Sequence, residues 1–181
     1  FVGKESIGKN LFAKEFAKAI LCENNNKPCG MCKSCIEFDT CNNPDFSILE
    51  PEGTSIKIYP IREFIKKVYE KPVVSNKKVY IINESQLMTK EAQNSLLKTL
   101  EEPPAYGVII LLTTNVDSLL PTILSRCVIL HMRPVEDKKI EDYLMKELHV
   151  PDYKAGVCAA FARGNMGKAK ALAENEDFEH I

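Results

Sequence analysis

An α/β domain, with a parallel sheet lying between helices and a small all-helical lid after it, is the architecture expected of this chain. Three observations lead there. Short apolar runs rich in strand formers alternate with segments of helical period. Val79–Ile82 is a buried-strand run, and two others, Val108–Leu112 and Val128–Leu130, are apolar throughout rather than alternating, as strands are when helices cover both faces. From about Pro134 the strand signals stop and helical periods continue alone. The expected divisions are 1–133 for the α/β domain, with a cysteine module inserted at about 22–41, and 134–181 for the helical lid.

Taken in order, Phe1-Val2-Gly3 reads as the end of a strand entering a loop. Ile7, Leu11, Phe12, Phe16 and Ile20 then share one face of an amphipathic helix. The stretch from Cys22 to Asn43 is polar, rich in Asn, Gly and Pro, and cannot build a core from apolar side chains, so another staple is needed. Phe46–Leu49 is a strand that ends in the turn Glu50-Pro51-Glu52-Gly53. Ile61, Phe64, Ile65 and Val68 mark a helix whose first turn suits Pro60. After the strand Val79–Ile82, a helix carrying Ala92, Leu96, Leu97 and Leu100 is stopped by Pro103-Pro104. Val108–Leu112 and Val128–Leu130 are the remaining strands, and Ile140–Leu148, Val157–Phe161 and Ala169–Ala173 mark three short helices.

Composition narrows the function classes. Of 181 residues, 45% are hydrophobic and 27% charged, ordinary for a folded domain, and no apolar run of membrane-spanning length occurs. With 24 basic and 25 acidic side chains the net charge is -1, so no global positive field draws the chain onto nucleic acid; any DNA contact must be local or shared with partners. Four of the seven cysteines cluster at metal-like spacing, and a reducing cytoplasm is the expected compartment.

The chemistry begins at Gly3-Lys4-Glu5-Ser6-Ile7-Gly8-Lys9-Asn10, which fits the phosphate loop G-x4-G-K and then departs from it. The last position normally carries the small hydroxyl that coordinates Mg²⁺, and here it is Asn10. A plain glycine-rich turn is the alternative. The strand Val79–Ile82 should carry the acidic pair of such a domain, an Asp that orients Mg²⁺ and a Glu that positions water, yet it is followed by Asn83-Glu84. Two substitutions thus fall on the two groups that would hold one metal ion, while Lys9 and Glu84 remain. Without that ion the charge on the transferring phosphoryl group is not neutralised, and no ATP turnover is expected. Weak binding of ATP or ADP stays open.

Cys22-x6-Cys29-x2-Cys32-x2-Cys35 offers four thiolates within fourteen residues, with Gly30 placed for a tight turn. Zn²⁺ held by four sulfurs has a closed shell and no place for water or substrate, so the metal would be structural. Its binding in small modules is worth about 10–16 kcal/mol, enough to order a segment with no core of its own. Cys41 could replace Cys22, although Cys22 sits where the preceding helix would end and is favoured. Cys127 and Cys158 lie among apolar residues and are expected to be small buried side chains.

Together with Asn94-Ser95-Leu96-Leu97-Lys98-Thr99-Leu100-Glu101-Glu102-Pro103-Pro104, these motifs resemble, in kind and order, the bacterial DNA polymerase III clamp-loader subunits of the AAA+ class, along nearly the whole chain. Met88-Thr89, Ala92, Asn94 and Leu119–Cys127, with the degraded loop, look more like the delta-prime branch than the gamma/tau motor. The resemblance implies that the arginine of Ser125-Arg126-Cys127 reaches in trans into a neighbouring motor subunit's ATP site, where a guanidinium stabilises transition-state charge; a surface or interdomain ion pair is the alternative for Arg126. It also implies that Asn115, in Thr113-Thr114-Asn115, and Lys168, in Gly164–Ala169, lie near the nucleotide pocket with Gly3, Gly8, Lys9, Asn10, Asn83 and Glu84; a strand-to-loop turn and a helix cap at Gly164-Asn165 are the respective alternatives. The partners implied are the gamma/tau and delta subunits, with the sliding clamp and primer-template DNA reached through the assembled ring. A third, helical collar domain belongs to that picture and is expected to lie beyond this chain. No paired-carboxylate nucleotidyl-transfer site is evident, so polymerising chemistry is expected to reside in another subunit.

Two further classes compete. An active, gamma/tau-like ATPase with unusual magnesium ligands would show Mg-dependent turnover abolished by Glu84→Gln. A zinc-dependent nucleic-acid module would bind DNA in a salt-sensitive way, but the near-neutral charge and the lack of interleaved aromatic and basic residues count against it.

Overall fold

A computed structural model of the chain describes residues 1–175, which form two compact units. The first comprises residues 1–2 and 10–130, the second residues 3–9 and those from 131 onward.

In chain order the elements of the α/β part are α1 (Lys9–Leu21), α2 (Lys33–Asp39), β1 (Phe46–Leu49), α3 (Ile58–Val68), β2 (Lys78–Ile82), α4 (Lys90–Glu101), β3 (Gly107–Leu111) and the short α5 (Pro121–Leu124). The strands form a parallel sheet in the order β1-β2-β3, with Phe46 opposite Val79 and Val79 opposite Val108. The central strand explains its own sequence. Every residue of β2 is buried, because alternate side chains enter different cores. Tyr80 and Ile82 pack with Ile61, Phe64 and Val68 of α3, Ala92 and Leu96 of α4 and Ile123 of α5. Val79 and Ile81 pack with Ala13, Ala17 and Leu21 of α1, and with Ile110 and Leu112. Each fully buried Ile or Val contributes about 1.5–3 kcal/mol.

Three expectations need correction. The face of α1 against the sheet is not the large apolar stripe but Ala13, Ala17 and Leu21, while Leu11, Phe12 and Phe16 stay 69%, 49% and 42% exposed. Small side chains let the helix backbone approach the strands. Phe12 and Phe16 stack on each other at 6.2 Å and meet Phe1 edge-on at 5.2 and 5.8 Å. Val128–Leu130 is not a strand, and Val128 is 86% exposed. A strand needs a ladder, and among the described residues the segment is met by the Val2 N–H, which donates to the Leu130 carbonyl at 2.9 Å, without forming one. Finally, the polar cysteine segment contains the helix α2, which no apolar period announces.

In the second unit α6 (Asp137–Glu147), α7 (Asp152–Ala162) and α8 (Met166–Glu174) share a core of Ile140, Leu144, Ala155, Cys158, Ala159, Ala162 and Ala169. Arg163 caps α7, and Gly164 after it takes φ 79°, where an added Cβ would stand 2.3 Å from Pro134 Cβ, so glycine is required on both counts. The lid expected over 134–181 extends past the described residues at its last six positions.

Candidate metal centre, loop and arginine

Cys22 directly follows α1, its N–H donating to the Lys18 carbonyl at 3.0 Å, so the first thiol is fixed by a helix end. Cys32 caps α2, its Sγ accepting from the Cys35 N–H at 3.4 Å, and Cys29 Sγ accepts from the Cys32 N–H at 3.3 Å and Asn24 Nδ2 at 3.1 Å. Gly30 takes φ 71° in the turn between them. The sulfurs of Cys22, Cys29, Cys32 and Cys35 lie within 4.8 Å of one another. Four sulfurs at tetrahedral Zn–S distance would be about 3.8 Å apart, so this donor set fits one zinc ion after a small contraction. Cys41 is exposed and outside the group.

Electrostatics differ among the thiols. Backbone N–H groups of Met31 and Cys32 hold Cys29 down at about 6, and the Glu23 backbone lowers Cys32, whereas burial pushes Cys35 up to about 12. Burial also raises Cys127 and Cys158, which makes both poor nucleophiles at neutral pH. A polar chain anchors the knuckle to the sheet. Ser34 Oγ lies 2.9 Å from Ser75 Oγ, Asn43 Nδ2 donates to the Ser34 carbonyl and hydroxyl at 3.0 and 3.1 Å, and Asn43 Oδ1 accepts from the Asp45 N–H at 2.9 Å. Asp45 carboxylate oxygens accept from the N–H groups of Val73, Val74 and Ser75, all at 2.7 Å.

The residues expected around a nucleotide are divided between the units. Gly3, Gly8, Lys9 and Lys168 count with the second, Asn10, Asn83, Glu84 and Asn115 with the first. Within the loop, Gly8 takes φ 95°, and Lys9 Nζ donates to the carbonyls of Gly3 and Lys4 at 2.8 and 2.7 Å. Asn165 Nδ2 donates to the Glu5 carbonyl at 3.2 Å and its Oδ1 caps α8 at the Lys168 N–H, leaving the Lys168 side chain exposed. Among the described residues, Asn10 Oδ1 is buried without a hydrogen-bond partner. Asn83 Nδ2 donates to Glu50 Oε2 at 2.8 Å, Glu84 takes φ 46°, and Asn115 Oδ1 accepts from the Asp117 N–H at 3.0 Å.

Arg126 follows α5 with its side chain 32% exposed. Nε and Nη2 donate to Glu101 Oε1 at 3.0 and 2.5 Å, and Nη1 donates to the Thr122 carbonyl at 2.8 Å and Ser125 Oγ at 3.1 Å.

With that geometry in place, comparison with known proteins is direct. The family model described as "DNA polymerase III, delta subunit" matches residues 1–136. The chain belongs to this family. Subunit delta' of DNA polymerase III from Bacillus subtilis is 36% identical over 98% of this chain and 54% of its own length. Subunit gamma from Buchnera aphidicola is 34% identical over 96% of this chain and 50% of its own. The crystal structure of a DNA polymerase III gamma subunit-related protein from Thermotoga maritima superposes with a TM-score of 0.57 at 25% identity, covering 98% of this chain and 58% of that one. The chain spans about half the length of these two curated relatives.

As a member of the DNA polymerase III delta-subunit family, the chain keeps the α/β fold with its P-loop position and a cysteine cluster fit for zinc. Among the described residues, no helix is long and apolar enough to cross a membrane. Sequence reasoning named Arg126 but passed over Glu101 as one letter of a motif. Nothing in the sequence links residues 25 positions apart; only the unpaired sign of the charge could have prompted a search for its partner.

Proposed function

We propose that this chain serves DNA replication as a non-hydrolysing clamp-loader subunit of DNA polymerase III, lending Arg126 to the ATP site of a neighbouring motor subunit. One observation carries the proposal. Both positions that would hold magnesium are asparagine, Asn10 and Asn83, in a chain that presents a partly exposed arginine after α5. An amide lacks the charge of Asp and the compactness of a hydroxyl, so the loop keeps its lysine and loses its ion. Gamma/tau and delta subunits are the proposed ring partners, with the sliding clamp and primer-template DNA as the substrates of the assembly.

Zinc at Cys22, Cys29, Cys32 and Cys35 would supply a closed structural tie and no chemistry of turnover. The residues of the chain would then act by placement: α5 aims the guanidinium, and the Thr122 carbonyl with Ser125 Oγ holds its Nη1 side.

The test is DNA-stimulated ATP hydrolysis by a loader reconstituted from motor subunits and the full-length protein, unaltered or carrying Arg126→Ala. Hydrolysis at the facing motor site is expected to fall on the order of 10³-fold while the ring still assembles and the isolated subunit remains inactive. Unchanged turnover would remove Arg126 from the mechanism, and Mg-dependent turnover by the isolated subunit would favour an active ATPase.

A further inference from the structure

We propose that Glu101 is a latch on Arg126, parking the guanidinium until the neighbouring nucleotide displaces it. The inference rests on the arginine-donor reading above and adds to it a residue that controls when the donor is available.

The donors of one side chain decide the matter. A guanidinium has five N–H groups, and a phosphoryl group is best held through two of them on one edge. Glu101 Oε1 takes the Nε–H at 3.0 Å and one N–H of Nη2 at 2.5 Å, which are the two donors of one bidentate edge. Nη1 donates to two acceptors, the Thr122 carbonyl and Ser125 Oγ, as many as it has hydrogens. One Nη2 hydrogen remains, so neither edge can make a two-point contact with an anion as the side chain stands. Release of Glu101 alone frees the Nε and Nη2 edge, while Nη1 stays docked and preserves the aim. Thr122 and Ser125 therefore act as the mount and Glu101 as the part that lets go.

Two more facts fit a latch better than a strut. Glu101 is the last residue of α4, where a carboxylate faces the negative end of the helix, so helix stability does not explain an acid there. The pair is also open to solvent, with the side chains 32% and 47% exposed for Arg126 and Glu101. An exposed pair is weak and readily exchanged for a stronger anion. A polyphosphate offers that anion, since its oxygens match the same edge with more charge.

The experiment uses the reconstituted loader with full-length protein carrying Glu101→Gln, Arg126→Ala or both, and reads ATP hydrolysis with and without clamp and primed DNA. Glu101→Gln is expected to raise unstimulated turnover about two- to fivefold, to leave the stimulated maximum unchanged, and to do nothing on top of Arg126→Ala. Raising the salt should shrink the difference between the unaltered protein and Glu101→Gln, because the released charge pair is a screened one. A drop in stimulated turnover with Glu101→Gln would make Glu101 a support for the arginine and overturn the latch, as would unchanged unstimulated turnover. If Arg126→Ala itself has no effect, the donor reading falls and the latch falls with it; a loss with Arg126→Ala but no rise with Glu101→Gln sinks the latch alone.

Discussion

Asp45 is wholly buried just before β1, and a lone carboxylate there would be costly. It is kept because Val73, Val74 and Ser75 turn their N–H groups onto its two oxygens, tying the loop before β2 to the start of β1. Hydrogen bonds to a charged acceptor are the strong ones. Asp45→Asn keeps the shape but sets an amide NH2 against backbone donors, and it is expected to lower unfolding free energy by about 2–4 kcal/mol, read from urea denaturation. Asn43-Pro44-Asp45 looks like an ordinary turn in the sequence, because its partners come from nearly thirty residues on. Local spacing carries no trace of that. Arg126 and Glu101 each stand in a contiguous motif, but their pairing joins two separate motifs and is equally invisible to local spacing.

Elements with their own apolar period were readable: α3, α4, β2 and β3 follow directly from Phe64, Leu96, Ile81 and Ile110 and their spacing. The helix α2 was not, because the residues it buries are Ser34 and Cys35, a polar hydroxyl and a thiol that reads first as a metal ligand, and two adjacent positions set no helical period. Its order is expected to depend on the knuckle and on the Ser75–Ser34–Asn43 chain. Chelation of the metal is therefore expected to release 22–43 to rapid amide exchange, while β2 stays protected. Acid should do the same. Metal binding displaces protons from thiols, and Cys35, pushed up to about 12 by burial, is protonated in the metal-free cluster at neutral pH. Metal affinity should fall as pH falls from 8 to 6, measured by competition with a chromophoric chelator; a flat profile would speak against thiolate ligation. Cys29, already held at about 6, contributes least to that proton release until the lower end of the range.

For the molecule, the division into an α/β part and a helical part was visible in where strand signals end. That residues 3–9 count with the helical unit was not, since a loop's sequence does not say what it packs on. Nor did the apolar letters of Val128–Leu130 reveal that they would lack a ladder. Beside them, β3 pairs with β2 along one edge, while Phe1 and Val2 meet its other edge at Leu111 and Thr113. A cavity of about 450 Å³ follows that edge, with Val108, Ile110, Leu124 and Val128 in its walls. For anyone concentrating residues 1–181, this is a matter of colloidal behaviour. Apolar side chains lining an open cavity offer contact surface to other copies of the chain, so light scattering should rise with protein concentration and persist in high salt, where charge repulsion is silent. Clear solutions at millimolar concentration would show that this surface is guarded after all.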